Sequence, residues 1–187
     1  MPRQLLPSVL TTRWRGAVLD VRLLLSFVFV DPNNGYSRNH YRTIKLYLAG
    51  AISNCTYAEA TLWRKYVKVA LPNWTVLDPM GGKSHLDNGE RIAVIYDHKE
   101  LLCSDRAIIT RDRYMVQQAD IVLFNLTYGA NKLIGTSVEL GWANAWGKTC
   151  IAAIPEDSQY QHPFIRELCH CLPSLDEALL VLKSYEV

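Results

Sequence analysis

Gly135-Thr136-Ser137-Val138-Glu139-Leu140-Gly141, continued by Trp142 to Lys148, is the stretch on which the fold turns. It follows an apolar run, Ile121-Val122-Leu123-Phe124, with the composition of a strand buried on both faces. From residue 136 to 146 it takes up helical spacing, with Val138, Trp142 and Ala145 on one side. Strand, loop and helix in that order are the repeating unit of an open α/β sheet, whose ligand crevice lies outside the carboxyl ends of the strands. Gly135 lets backbone approach a ligand with no Cβ in the way. Glu139 falls in the first helical turn, where the positive end of the helix dipole favours an ionised carboxylate. Such a carboxylate at a crevice is a candidate nucleophile. Thr136-x-x-Glu139 equally has the form of a capping box, and the local pattern leaves both readings open.

Working upstream, Thr43 to Gly50 is a β-rich run ending in glycine. Ala60, Trp63, Val67 and Ala70 recur at helical spacing between Tyr57 and Leu71. Thr75-Val76-Leu77 reads as a second strand closed by Asp78-Pro79. Met80 to Ser104 is longer than an ordinary connection and is expected to be a functional lid. Arg111 to Gln118 reads as a helix capped by Thr110, and Ala119 to Leu126 as the third strand. Downstream come a fourth strand at Cys150–Ile154, a helix near Pro163–Leu168, a brief strand around Cys169–Leu172 and a helix from Leu175 capped by Ser174. Strands alternating with helices predict parallel pairing. The expected fold is α/β: a doubly wound three-layer sandwich with a mostly parallel five-stranded sheet, flavodoxin- or Rossmann-like.

Residues 1–43 differ from the remainder. They hold six arginines against Asp20 and Asp31, +4 of a chain whose formal net charge is +2, which leaves −2 for residues 44–187. Leu23 to Val30 is apolar but far too short to span a bilayer. We expect a basic, poorly ordered or loosely docked extension at 1–43 and one domain at 44–187. That charge balance gives no case for nucleic acid or a membrane surface. The five cysteines form no CxxC pair, and Cys169-His170-Cys171 lacks a second ligand pair, so reduced thiols, a cytoplasmic location and no metal or cofactor are expected. Three Asn-x-Thr sequons, at Asn54, Asn73 and Asn125, are read as chance.

Strand one brings Tyr47, Ala49 and Gly50 to the carboxyl rim, the next crossover brings Asp112, and the following one brings Gly135 to Glu139. No G-x-G-x-x-G follows the first strand, and the P-loop lysine and hydroxyl are missing after Gly50, so phosphate cradling is not the theme. Two carboxylates at one crevice can divide roles, one attacking and one carrying a proton, as chemistry at a sugar C1′ requires. Asp112, flanked by Arg111 and Arg113, reads equally as a helix-start acid in a surface charge cluster. Trp63, Trp142 and Trp146 are expected in the core, Arg64 as a solvated helix residue or a partner of Asp78, and His85 and His98 as inert loop residues.

Tyr47-Leu48-Ala49-Gly50, Arg111-Asp112 eight residues ahead of Asp120, and Gly135-Thr136-x-x-Glu139-Leu140-Gly141-x-Ala143 with Gly147-Lys148 resemble the nucleoside 2-deoxyribosyltransferase superfamily, which includes 2′-deoxynucleoside 5′-monophosphate N-glycosidases. The resemblance covers residues 44–172. It implies that Glu139 attacks C1′ and becomes glycosylated, that Asp112 handles the proton of the base, and that Tyr47 helps hold the nucleophile. It further implies that Ala49, Gly50, Gly135 and Thr136 line the substrate, a small nucleoside or nucleotide, and that the protein is a homo-oligomer. Leu133 departs from the aspartate or serine found six residues before the nucleophile. Ala51-Ile52-Ser53 lack the phosphate-gripping Ser and Arg, so nucleosides are favoured over monophosphates unless Arg111, Arg113 or Lys83 substitutes. A module that binds nucleotide derivatives without turnover is the alternative of another class.

Overall fold

Alternation along each strand sorts the side chains onto two faces of one sheet. The computed structural model describes residues 43–93, 104–127 and 134–186. The extension expected at 1–43, apart from Thr43, and residues 94–103 of the expected lid lie outside the described residues. The elements are β1 (Lys45–Gly50), α1 (Tyr57–Ala70), β2 (Thr75–Leu77), α2 (Asp105–Gln118), β3 (Ile121–Asn125), α3 (Ile134–Ala145), β4 (Thr149–Ala153), α4 (Pro163–Leu168), β5 (His170–Leu172) and α5 (Leu175–Lys183). All strands pair in parallel in the order β2-β1-β3-β4-β5, the flavodoxin-like arrangement. Among the described residues no helix is long and apolar enough to cross a membrane.

Leu46, Leu48, Ile121, Leu123 and Ile151 point to one face, where Trp63 and Val67 of α1 and Ala178, Leu179 and Leu182 of α5 cover them. Tyr47, Ala49, Val122, Phe124 and Ala152 point to the other, against Val116 of α2, Leu140 and Ala143 of α3, and Ile165 and Leu168 of α4. Three layers result, as the alternation predicts. Trp63 lies in the first core, and Trp142 and Trp146 pack partly buried against the second.

Local chemistry sets the helix starts. Thr56 and Glu59 form a reciprocal capping box at α1, with Glu59 N donating to Thr56 Oγ1 at 3.2 Å and Thr56 N to Glu59 Oε2 at 2.7 Å. Ser104 caps α2 and Ser174 caps α5 through their hydroxyls. α2 therefore begins six residues before the expected start near Arg111. The exposed charges of Asp105 and Arg106, with an aspartate, Asp112, on the buried side, hide its periodicity, and the cap belongs to Ser104, not Thr110.

The carboxyl rim is tightest at Gly50. A Cβ there would lie 3.0 Å from the Asn125 carbonyl oxygen and 3.0 Å from the Trp63 ring. Glycine is needed because β1 and β3 run side by side here, with Gly50 opposite Asn125, while α1 presses its tryptophan on the gap. We expect Gly50→Ala to destabilise the protein by about 1–3 kcal/mol through overpacking, read as a lower urea midpoint. An unchanged midpoint would mean that the rim yields.

Candidate active site

Tyr47 lies three residues before the end of β1 and is completely buried. The strand points its side chain toward α2 and α3, and its hydroxyl donates to Glu139 Oε1 at 2.6 Å. Glu139 is half-buried, with its carboxyl at the crowded inner end of the side chain. Burial pushes that carboxyl up to about 8. The Tyr47 hydrogen bond opposes the rise, the nearby Asp112 charge adds to it, and Arg64 and Lys83 pull it down. The same crowding, with the Glu139 and Asp112 charges, raises the Tyr47 phenol well above its usual value, so it remains a donor.

Two sequence expectations about Glu139 need correction. α3 starts at Ile134, so Thr136 is already helical and Glu139 is the sixth helical residue, in the second turn. Its carboxyl reaches across to β1 instead of back to the helix start, and no capping box forms with Thr136. Desolvation, not the helix dipole, dominates its ionisation, and in the direction opposite to the expected one. The same T-x-x-E pattern does form a box at Thr56 and Glu59, where the glutamate is exposed at the true helix start.

Asp112 is the eighth residue of α2, not a helix-start acid, and it is buried. α2 packs on α3 and both pack on β1, which brings Asp112 within the electrostatic reach of Glu139 and Tyr47. Its Oδ1 is buried without a hydrogen-bond partner, 3.8 Å from Arg111 Nε. Burial raises the Asp112 carboxyl above the ordinary range, with Lys83, Arg111 and Arg64 opposing.

The other expected site residues are placed less uniformly. Ala49 is buried on the Tyr47 face of β1, and Gly50 closes the strand on the opposite face. Gly135 lies inside the first turn of α3, exposed, and a Cβ there would meet nothing within 4 Å. Thr136 is buried and lines a cavity of about 20 Å³ with Phe124, Leu140, Tyr160 and Ile165, room for about one water and no substrate. Leu133 and His98 lie outside the described residues, and His85 is exposed. Among the described residues no group of three His, Cys, Asp or Glu could hold a metal.

Of the two sequence readings of Arg64, the partner of Asp78 holds and the solvated helix residue does not. Arg64 is not solvated: it is fully buried, stacked on the Trp63 ring at 4.3 Å. It donates to the carbonyl oxygens of Gly50, at 3.0 Å, and Ala60, and lies 3.6 Å from Asp78. It thus ties α1 to the end of β1 and places a positive charge behind Tyr47 and Glu139. Lys83 is 1% exposed, and its charge acts on both carboxyls. Arg111 donates to Gly81 O at 3.1 Å and to Pro79 O, and Arg113 lies over the Trp146 ring at 5.8 Å.

The family model for nucleoside 2-deoxyribosyltransferase matches residues 46–178. No curated protein sequence matches the chain significantly. Among solved structures, the chain is similar to a 2-deoxyribosyltransferase from Bacillus psychrosaccharolyticus, at 19% identity and a TM-score of 0.54, covering 72% of this chain and 90% of that one. A conserved protein from Enterococcus faecalis gives 16% and 0.53, covering 76% and 98%. A 2-deoxyribosyltransferase from Leishmania mexicana gives 14% and 0.50, covering 77% and 99%. At such identities these structures speak to the fold alone, which is the sheet order found here. The family match spans every element from β1 into α5, Tyr47, Asp112 and Glu139 included, and with it the chain belongs to the nucleoside 2-deoxyribosyltransferase family of enzymes.

Proposed function

We propose that the protein cleaves the N-glycosidic bond of a nucleoside, with a deoxyribosyl group passing through a covalent ester on Glu139. The observation that carries this reading is the 2.6 Å hydrogen bond from Tyr47 to Glu139, beside a second buried carboxyl on α2. Glu139 Oε attacks C1′ as the C1′–N bond breaks, and the bonding pair leaves with the base. Asp112, whose buried carboxyl holds a proton more readily than a solvated one, supplies that proton to the base. A second base or water then attacks C1′ from the vacated side and returns a proton to Asp112. Glu139 is freed, and configuration is retained after two inversions. Tyr47 holds the carboxylate in line and stabilises it before attack.

Nucleosides fit better than 5′-monophosphates. Arg111 is engaged by the carbonyls of Pro79 and Gly81, and Arg113 by Trp146, so neither is set for a phosphate. The family resemblance adds a cytoplasmic homo-oligomer to this reading. Incubating the full chain with a deoxynucleoside and a different free base tests it. Exchange of bases is the expected result, sugar plus base would mean a hydrolase, and no product from nucleosides or monophosphates would leave only a binding module.

Asp112→Asn is expected to slow departure of poorly acidic bases by roughly 10²–10⁴-fold and of good leaving groups much less. Equal slowing across a series of bases would take the proton-donor role from Asp112.

A further inference from the structure

Three thiols that the proposed reaction does not use meet at the far edge of the sheet. β4 and β5 run parallel with Ile151 facing His170, Ala152 facing Cys171 and Ala153 facing Leu172. Cys169 ends α4 with extended backbone, φ −127° and ψ 150°, so the strand geometry reaches one residue further back. The same register then sets Cys169 beside Cys150. Alternation turns both side chains to one face, where Cys150 is buried in the core behind α2, α3 and α4 and Cys169 packs against that core. Paired strands lie about 4.8 Å apart, inside the Cα separation of roughly 4.4–6.8 Å that a disulfide spans. Cys171 shares the face but stands opposite Ala152, two residues along, roughly 8 Å from Cys150 and out of bridging reach. Its Sγ donates to Cys169 O at 3.7 Å and to Ile165 O at 3.9 Å. Cys55 belongs to a separate core under α1, and Cys55, Cys150, Cys169 and Cys171 are all free thiols.

We propose that Cys150 and Cys169 form a dithiol that hydrogen peroxide closes into a disulfide, fastening the end of α4 to β4 and changing the seat of α3. Cys169 lines the cavity of about 20 Å³ together with Thr136 and Leu140 of α3, the helix that carries Glu139. A change at this sulfur is therefore felt at the back of that helix. A hydrogen bond from the Cys169 thiol lowers the Cys150 thiol against the effect of burial, and the same bond raises Cys169. Cys150 is the sulfur that loses its proton first, and Cys169 keeps the S–H. The Cys150 thiolate attacks one peroxide oxygen, the O–O bond breaks, and the departing hydroxide takes up a proton as water. Cys169 then attacks the sulfenic sulfur, the S–S bond forms, and the oxygen leaves as a second water with the Cys169 proton. Two thiols lose two electrons in all, and one peroxide gains them.

The test exposes the full chain to hydrogen peroxide, blocks the remaining thiols in denaturant, and maps the peptides by mass spectrometry. The expected product is a chain lighter by two hydrogens in which the peptides bearing Cys150 and Cys169 are joined, and dithiothreitol separates them. Cys171→Ser should still form this link, while Cys150→Ser and Cys169→Ser should each lose it. A link through any other cysteine, or oxidation of Cys150 and Cys169 without a link, overturns the proposal. The map of the unaltered chain decides this even if a serine variant fails to fold. The seat of α3 is read by the ¹³C methyl resonances of Leu140, assigned with Leu140→Met. They should shift when peroxide closes the disulfide and return with dithiothreitol. A disulfide that leaves them in place overturns the link to α3.

Discussion

Glu139→Gln is expected to lower N-glycosidic cleavage by about 10⁴-fold or more and to leave the sheet folded. Glutamine has the size of glutamate, and its carbonyl can still accept from Tyr47 Oη, so the contact between β1 and α3 survives. What the variant would lose is the oxygen proposed to form the ester, and removal of a covalent nucleophile costs rate on this scale. Alanine would be a poorer test. It strands the buried Tyr47 hydroxyl without its acceptor, at about 1–3 kcal/mol, and mixes loss of stability with loss of chemistry. The measurement is chromatographic release of base from a deoxynucleoside, with circular dichroism to verify the fold. A glutamine variant with undiminished turnover removes Glu139 from the mechanism and takes the covalent intermediate with it.

The sheet could be read from residues because its signal is local. Ile121 to Phe124 is apolar without a break, Pro72-Asn73 and Asp78-Pro79 bracket β2, and each crossover has its own periodic face. The site was legible in part. Tyr47 and Glu139 stood out by position, but their hydrogen bond joins residues 92 apart in sequence, and no spacing announces it. The ionisation of Glu139 was misread because a short motif gives the distance to a helix start and not the number of atoms around a carboxyl. Arg64 was visible in principle. Ala60, Trp63, Arg64, Val67 and Leu71 form one helical stripe, and an arginine on that stripe must be buried with partners. Lys83 gave no such signal, since Gly81-Gly82-Lys83 reads as any surface turn until Arg111 is seen to hold it down.

The glutamine variant should also change how stability responds to pH, with a sign that separates a buried nucleophile from a solvated one. In the folded protein the Glu139 carboxyl holds its proton up to about 8, against an ordinary value of 4.5. Between those limits the unfolded chain has released a proton that the folded chain retains, so unfolding releases a proton and is favoured as pH rises. The stability associated with Glu139 is thus fully present below about pH 4.5 and lost progressively up to about 8. Glutamine has no proton to release. We expect the variant to match the parent near pH 5 and exceed it at pH 8 by an amount on the order of a few kcal/mol. Urea midpoints across that window read the difference. Tyr47, raised above its usual value, titrates beyond the window, while Asp112 is raised in the same sense and is present in both proteins, so the difference is dominated by Glu139. Parallel curves over the whole range would mean a carboxyl in ordinary contact with water. A substrate that needs the Glu139 anion must be met by a protein that gives up stability to form it, and the Tyr47 hydroxyl, with Arg64 and Lys83 behind it, limits that loss.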